Sequence, residues 1–177
     1  MSDVATLAAH AKLTLSLRVT GVRADGYHLI DAEMISLQLA DTLRIDPHGS
    51  GITVAGPCAQ GVPTTSDNLV AKALGLAGRS AGVHIDKQIP NGGGLGGGSS
   101  DAAAVLRWAG FSDLVAASRL GADIPFCIVG GRARVGGIGE MPGGEGCAEI
   151  ARAVAPFTFG GEHTVGEITQ RTVRTPE

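Results

Sequence analysis

The chain has 177 residues, 44% of them hydrophobic and 18% charged, which is enough apolar material for one packed domain and too much for a disordered chain. A formal net charge of −3 offers no basic footprint for nucleic acid or an anionic membrane, and no run of 18 apolar residues suits a membrane span. Three widely spaced cysteines (Cys58, Cys127, Cys147) and a start without a basic segment point to reduced thiols in a soluble cytoplasmic protein, with neither a disulfide framework nor a zinc site.

In chain order, residues 11–19 alternate, with Leu13, Leu15, Leu17 and Val19 against Lys12, Thr14, Ser16 and Arg18, and predict a half-buried strand. Residues 21–26 carry turn chemistry. A second alternating run follows, with Ile35, Leu37 and Leu39 on one face. Leu43 and Ile45 predict a further strand and residues 52–54 a short one. Ser66-Asp67-Asn68 reads as an N-cap ahead of a helix from Leu69, and Val83, Ile85 and Ile89 as a strand stopped by Pro90. Helices are expected over 101–108 and 114–120. Residues 126–129 and 133–135 resemble two short strands joined at Gly130-Gly131. Strands first, then strands mixed with helices, predict an α+β fold with helices covering one face of a sheet. There is no internal repeat, no heptad pattern and no signal for an oligomeric state. From about Gly136 the apolar residues lose their register.

The strongest chemical signal is the segment from Pro90 to Ala104. Gly92, Gly93, Gly94, Gly96, Gly97 and Gly98 flank a single side chain, Leu95, so backbone N–H groups can crowd around a phosphate chain. A helix follows directly, and its N-terminal dipole favours an anion there. Ser99 and Ser100 add hydroxyls that can cap the helix or contact a phosphate. A lone glycine run reads first as a flexible loop; strand, glycines, serines and helix in that order shift the balance to phosphate binding. The segment also satisfies G-x-G-x-x-G, yet no βαβ unit with a ribose-binding acid surrounds it, and no Lys follows the glycines as a Walker A loop requires.

Read from Pro90 to Ala103, this segment resembles the nucleotide loop of the GHMP kinases, and its three-glycine, two-serine form is similar to the diphosphocytidyl-methylerythritol kinase branch. Three further segments agree in type and order: 9–15 with the opening strand, 23–28 with the substrate turn and 120–126 with the catalytic-aspartate segment, so the resemblance spans residues 8–140 almost continuously. It implies a two-layer, ribosomal-protein-like sandwich. It also implies ATP as phosphoryl donor, Mg²⁺ as companion ion and the 2-hydroxyl of a cytidylyl-methylerythritol as acceptor.

The same resemblance assigns roles. Asp123, which by itself reads as a turn or N-cap aspartate before Pro125, would be the general base. Lys12, otherwise a solvated strand lysine, would point at Asp123 and the transferred phosphoryl group, keeping the carboxylate ionised and offsetting developing charge. Tyr27, the only tyrosine, would stack on the cytosine ring, and His28 would hydrogen-bond its edge. The remaining histidines make no metal-ligand spacing, and Asn68 is explained by capping.

The match thins after Glu140. Residues 1–150 are expected to form the N-terminal nucleotide- and substrate-binding domain, and 151–177 a remnant of the start of a ferredoxin-like C-terminal domain with an atypical tail. Residues 154–157 resemble that domain's entering strand, and a truncated or frame-shifted reading frame is the expected cause of the rest. The alternative function is therefore an inactive remnant that at most binds nucleotide.

Overall fold

A computed structural model describes residues 4–22, 28–139 and 148–153. In chain order the elements are β1 (Ala5–Val22), β2 (His28–Asp46), β3 (Ile52–Ala55), α1 (Leu69–Leu76) and β4 (Gly82–Asp86). There follow α2 (Gly97–Trp108), α3 (Leu114–Ser118), α4 (Ile124–Val129), β5 (Arg132–Gly139) and β6 (Ala148–Ala153). One sheet runs β3-β4-β2-β5-β6, with β1 antiparallel along the other edge of β2. Strand β2 organises it: its end, residues 42–46, pairs with β4, and its start, 28–35, with β5. The helices pack on one face, giving the expected α+β two-layer arrangement. β6 continues the same sheet to Ala153.

The core lies between that face and the helices. Leu43, Ile45, Val83 and Ile85 come from β2 and β4, Val70 and Ala73 from α1, and Phe126 and Ile124 from α4, all at most 2% exposed. Each such large side chain contributes about 1.5–3 kcal/mol of burial. From α2, Ala102, Ala103 and Ala104 are fully buried with Val105 and Leu106, so small side chains let this helix approach the sheet closely.

Three expectations are corrected. Residues 126–129 form the helix α4, not a strand: Pro125 occupies its first turn, Cys127 N donates to Asp123 O at 3.0 Å, and Gly130 N closes it on Phe126 O at 2.7 Å. Leu43 and Ile45 belong to the same long strand as Ile35. The apolar residues of 13–19 do not form a buried face: Leu13, Leu15, Leu17 and Val19 are 39–60% exposed, and the buried residues of β1 are Ala9 and Ala11. A bulge at Leu15 changes the parity, so Leu13 pairs with Ile35 on one face and Leu17 with Ala32 on the other. Helix α2 covers only the first half of β1, where Arg107 Nη2 donates to Ala8 O at 3.2 Å.

Smaller differences concern boundaries. Helix α2 starts four residues before Asp101, inside the glycine run, and α3 ends at Ser118, capped by Asp113. Asn68 caps α1, accepting from Val70 N at 2.8 Å. The expected strand at 154–157 and the tail lie outside the described residues, as does Cys147.

Candidate active site

Residues 87–96 connect β4 to α2, and residues 97–99 are the first turn of that helix. Gly96 is the N-cap of α2 in the left-handed region, φ 69°, and its carbonyl accepts from Ser100 N at 2.8 Å. The N–H groups of Gly97, Gly98 and Ser99 therefore head a helix with no carbonyl one turn behind them, and no acidic residue stands in that first turn. Side chains are crowded out at two positions: a Cβ on Gly96 would stand 2.8 Å from Lys12 Cγ, and one on Gly97 3.0 Å from Ile89 Cγ2 and 3.1 Å from Lys87 Nζ, whereas one on Gly98 would make ordinary contact with Leu69 at 3.6 Å. Backbone donors, a helix N-terminus and glycines required by contact are the features a triphosphate needs, so the segment fits such a ligand.

Lys12 is fixed to this loop twice. Its backbone N–H donates to Leu95 O at 2.9 Å, and its stem lies against Gly96. Its ammonium reaches Asp123 Oδ2 at 3.1 Å, the lysine side chain 12% and the aspartate 29% exposed. Asp123 occupies the N-cap position of α4, but its carboxylate makes no cap hydrogen bond and turns instead to Lys12. Ser99 faces the same turn: a Cβ on Gly121 would lie 3.7 Å from Ser99 Oγ. Lys12, Gly96 and Asp123, far apart in sequence, thus meet, with Ser99 beside Gly121 nearby. There a partly exposed carboxylate with a cation beside it can accept a proton, next to the glycine loop.

Ser100 is placed elsewhere than expected. It is 1% exposed, and its hydroxyl donates to His10 O at 2.6 Å, so it ties α2 to β1 and does not face the phosphate cradle. It also touches the Cys127 thiol, which burial pushes up to about 11, keeping that sulfur protonated. Pro90, Gly92, Gly93 and Gly94 lie exposed at the outer rim, and Leu95 is half-buried. Tyr27 lies outside the described residues. His28 opens β2, its backbone opposite Val22 and Gly139.

Sequence reasoning missed a buried cluster directly beneath the loop. Lys87, 3% exposed, ion-pairs with Asp41 and, at 2.8 Å, with Asp101 Oδ2. Asp41 Oδ1 also accepts from Gln88 N and Ile89 N at 2.6 and 2.8 Å. Asp101 Oδ1 is buried without a hydrogen-bond partner. Burial raises the Asp101 carboxyl to about 7 despite Lys87. One signal was available: Asp41 stands in phase with Leu43 and Ile45, a carboxylate on the core face of its strand.

The family description "GHMP kinases N terminal domain" matches residues 68–131, which include the glycine loop and Asp123. The 4-diphosphocytidyl-2-C-methyl-D-erythritol kinase of Paracoccus denitrificans is 45% identical over 138 residues, covering 76% of this chain and 49% of the relative. The kinase of the same name from Dinoroseobacter shibae is also 45% identical, over 75% of this chain and 48% of its own length. A crystal structure of 4-(cytidine 5'-diphospho)-2C-methyl-D-erythritol kinase superposes with a TM-score of 0.60 at 39% identity, covering 77% of this chain and 53% of that one. A mevalonate pyrophosphate decarboxylase from Streptococcus pyogenes, at 12% identity and a TM-score of 0.51, shares the fold alone. The chain spans about half the length of the curated relatives it matches.

Proposed function

We propose that this chain, which belongs to the GHMP kinases, transfers the γ-phosphoryl group of ATP to the 2-hydroxyl of 4-diphosphocytidyl-2-C-methyl-D-erythritol, a step of isoprenoid precursor synthesis in the cytoplasm. The observation that carries this is the Lys12–Asp123 pair, 3.1 Å apart against Gly96 of the phosphate loop. In the proposed step the hydroxyl oxygen bonds to the γ-phosphorus while the bond to the β,γ-bridging oxygen breaks and ADP leaves. The hydroxyl proton passes to the Asp123 carboxylate. Lys12 keeps that carboxylate ionised beforehand and offsets charge on the transferred group. Residues 92–98 with Ser99 hold the phosphates through backbone N–H groups, so most of the rate comes from positioning.

Mg²⁺, when bound, neutralises charge on the β- and γ-phosphates. Such an ion would be carried in on the nucleotide. Tyr27 and His28 are assigned to the cytosine, following the resemblance of their turn. Residues 1–150 are assigned to the nucleotide- and substrate-binding domain and 151–177 to the start of a second.

A panel of acceptors tests the substrate. Label from γ-labelled ATP should pass to the cytidylyl-methylerythritol and not to mevalonate, homoserine or galactose; transfer to one of the latter would move the chain to another branch. A second reading, a module that binds nucleotide without turnover, draws on Leu17 and Val19, about 60% exposed beside the site-bearing half of β1. ADP binding without transfer to any acceptor would select it.

A further inference from the structure

Given the phosphate-loop reading above, we propose that nucleotide binding draws a proton onto the buried Asp41–Lys87–Asp101 cluster, with Asp101 the carboxyl that receives it. Two carboxylates and one ammonium, none more than 3% exposed, leave one net negative charge inside the protein when both carboxylates are ionised. Such a charge is costly, and a proton removes it. Geometry decides where the proton sits. Protonating Asp41 would disturb a carboxylate that accepts from Lys87, Gln88 N and Ile89 N. Among the described residues Asp101 accepts only from Lys87, and its Oδ1 is buried with no partner. Burial raises this carboxyl to about 7, in the range where the switch operates.

The cluster is placed to feel the ligand. Asp101 is the fifth residue of α2, and Lys87 Nζ lies 3.1 Å from where a Cβ on Gly97 would stand, beneath the first turn. Phosphates seated on that turn bring negative charge toward Asp101 and disfavour its ionised form, so binding and protonation reinforce each other. The charged groups acting on Asp101 are Lys87, after β4, and Asp41, from β2. From β1 and the start of α4, Lys12 and Asp123 pair with each other against the neighbouring Gly96. α1 presents Leu69 to the loop at Gly98, α4 also presents the protonated Cys127, and Asp86 of β4 bonds Gln88 Nε2.

The test is calorimetric titration of ADP, without Mg²⁺, into the whole chain at pH 8 in two buffers of different ionisation enthalpy, beside Asp101→Asn. The β-phosphate's own titration is common to both proteins and cancels in the comparison. The wild-type heat should differ between buffers by roughly half a proton more than the variant's. Its affinity should fall up to about tenfold between pH 7 and 9, and the variant's less. Should the variant not fold, the ¹³C carboxyl resonance of Asp101 in the wild type reads the same proton during the titration. It should move toward the protonated position as ADP is added. Equal buffer dependence in the two proteins, or a carboxyl signal that ADP leaves unmoved, overturns the coupling alone. No ADP binding in either buffer overturns the phosphate-loop reading and the coupling with it.

Discussion

Gly94 and Gly96 of the proposed phosphate loop differ in what an added side chain would meet, and alanine at each separates backbone strain from the placement of Lys12. Gly94 and Gly96 both have φ near +70°, so either substitution incurs left-handed strain of about 1–2 kcal/mol. At Gly94 the added Cβ meets nothing within 4 Å; at Gly96 it lies 2.8 Å from Lys12 Cγ and 3.2 Å from Cε. No real Cβ is that close, so the flexible lysine stem moves and its ammonium leaves the 3.1 Å contact with Asp123. Thermal unfolding should therefore report similar losses for Gly94→Ala and Gly96→Ala, roughly 2–8 °C each. Phosphoryl transfer at saturating substrate should fall about 10²–10³-fold more in Gly96→Ala, the scale of one lost charge-stabilising group. Equal kcat in the two variants would refute the argument that Gly96 is needed to seat Lys12.

Asp123→Asn should lower kcat about 10²–10⁴-fold with ADP affinity retained, since the proposed general base is lost and the proposed phosphate cradle is not; kinetics and calorimetry check the two halves. Ser100→Ala should cost about 1 kcal/mol of stability in urea, through the lost bond to His10 O, and leave the KM for ATP unchanged, whereas Ser99→Ala should raise that KM. Lys87→Met should cost about 3–5 kcal/mol in urea at pH 8, because it strands two buried carboxylates. Asp101 has its folded pKa raised from 3.8 to about 7, so the folded state binds the extra proton between those values. The stability of the wild type relative to Asp101→Asn should then decline as pH rises from 4 to 7 and level off above it, read by Tm against pH.

The parts of the site that lie on local chemistry were legible in the sequence. The glycine run and its helix announce themselves within fifteen residues, whereas Lys12 and Asp123 came with the resemblance. What the sequence hid depends on distant pairing. Lys87 carries no signal of its own in the sequence, because Asp41 and Asp101, which hold it, stand 46 and 14 residues away. Residues 126–129 are a short apolar run, whose period cannot separate strand from buried helix; Pro125 was the better signal. The alternation of Leu13 to Val19 is real as a strand signal, but the bulge at Leu15 and the reach of α2 decide which residues are covered. Ser100 illustrates the same limit, since only the docking of α2 on β1 turns its hydroxyl inward.

The central claim is that the Lys12–Asp123 pair and the glycine loop together transfer phosphoryl groups. Its most direct test is incubation of the chain with γ-labelled ATP, Mg²⁺ and 4-diphosphocytidyl-2-C-methyl-D-erythritol, with Asp123→Asn beside it. The account predicts label on the substrate from the wild type and its loss in the variant, with ADP still bound by both. Transfer undiminished in Asp123→Asn, or none from a folded, ADP-binding wild type, would contradict it.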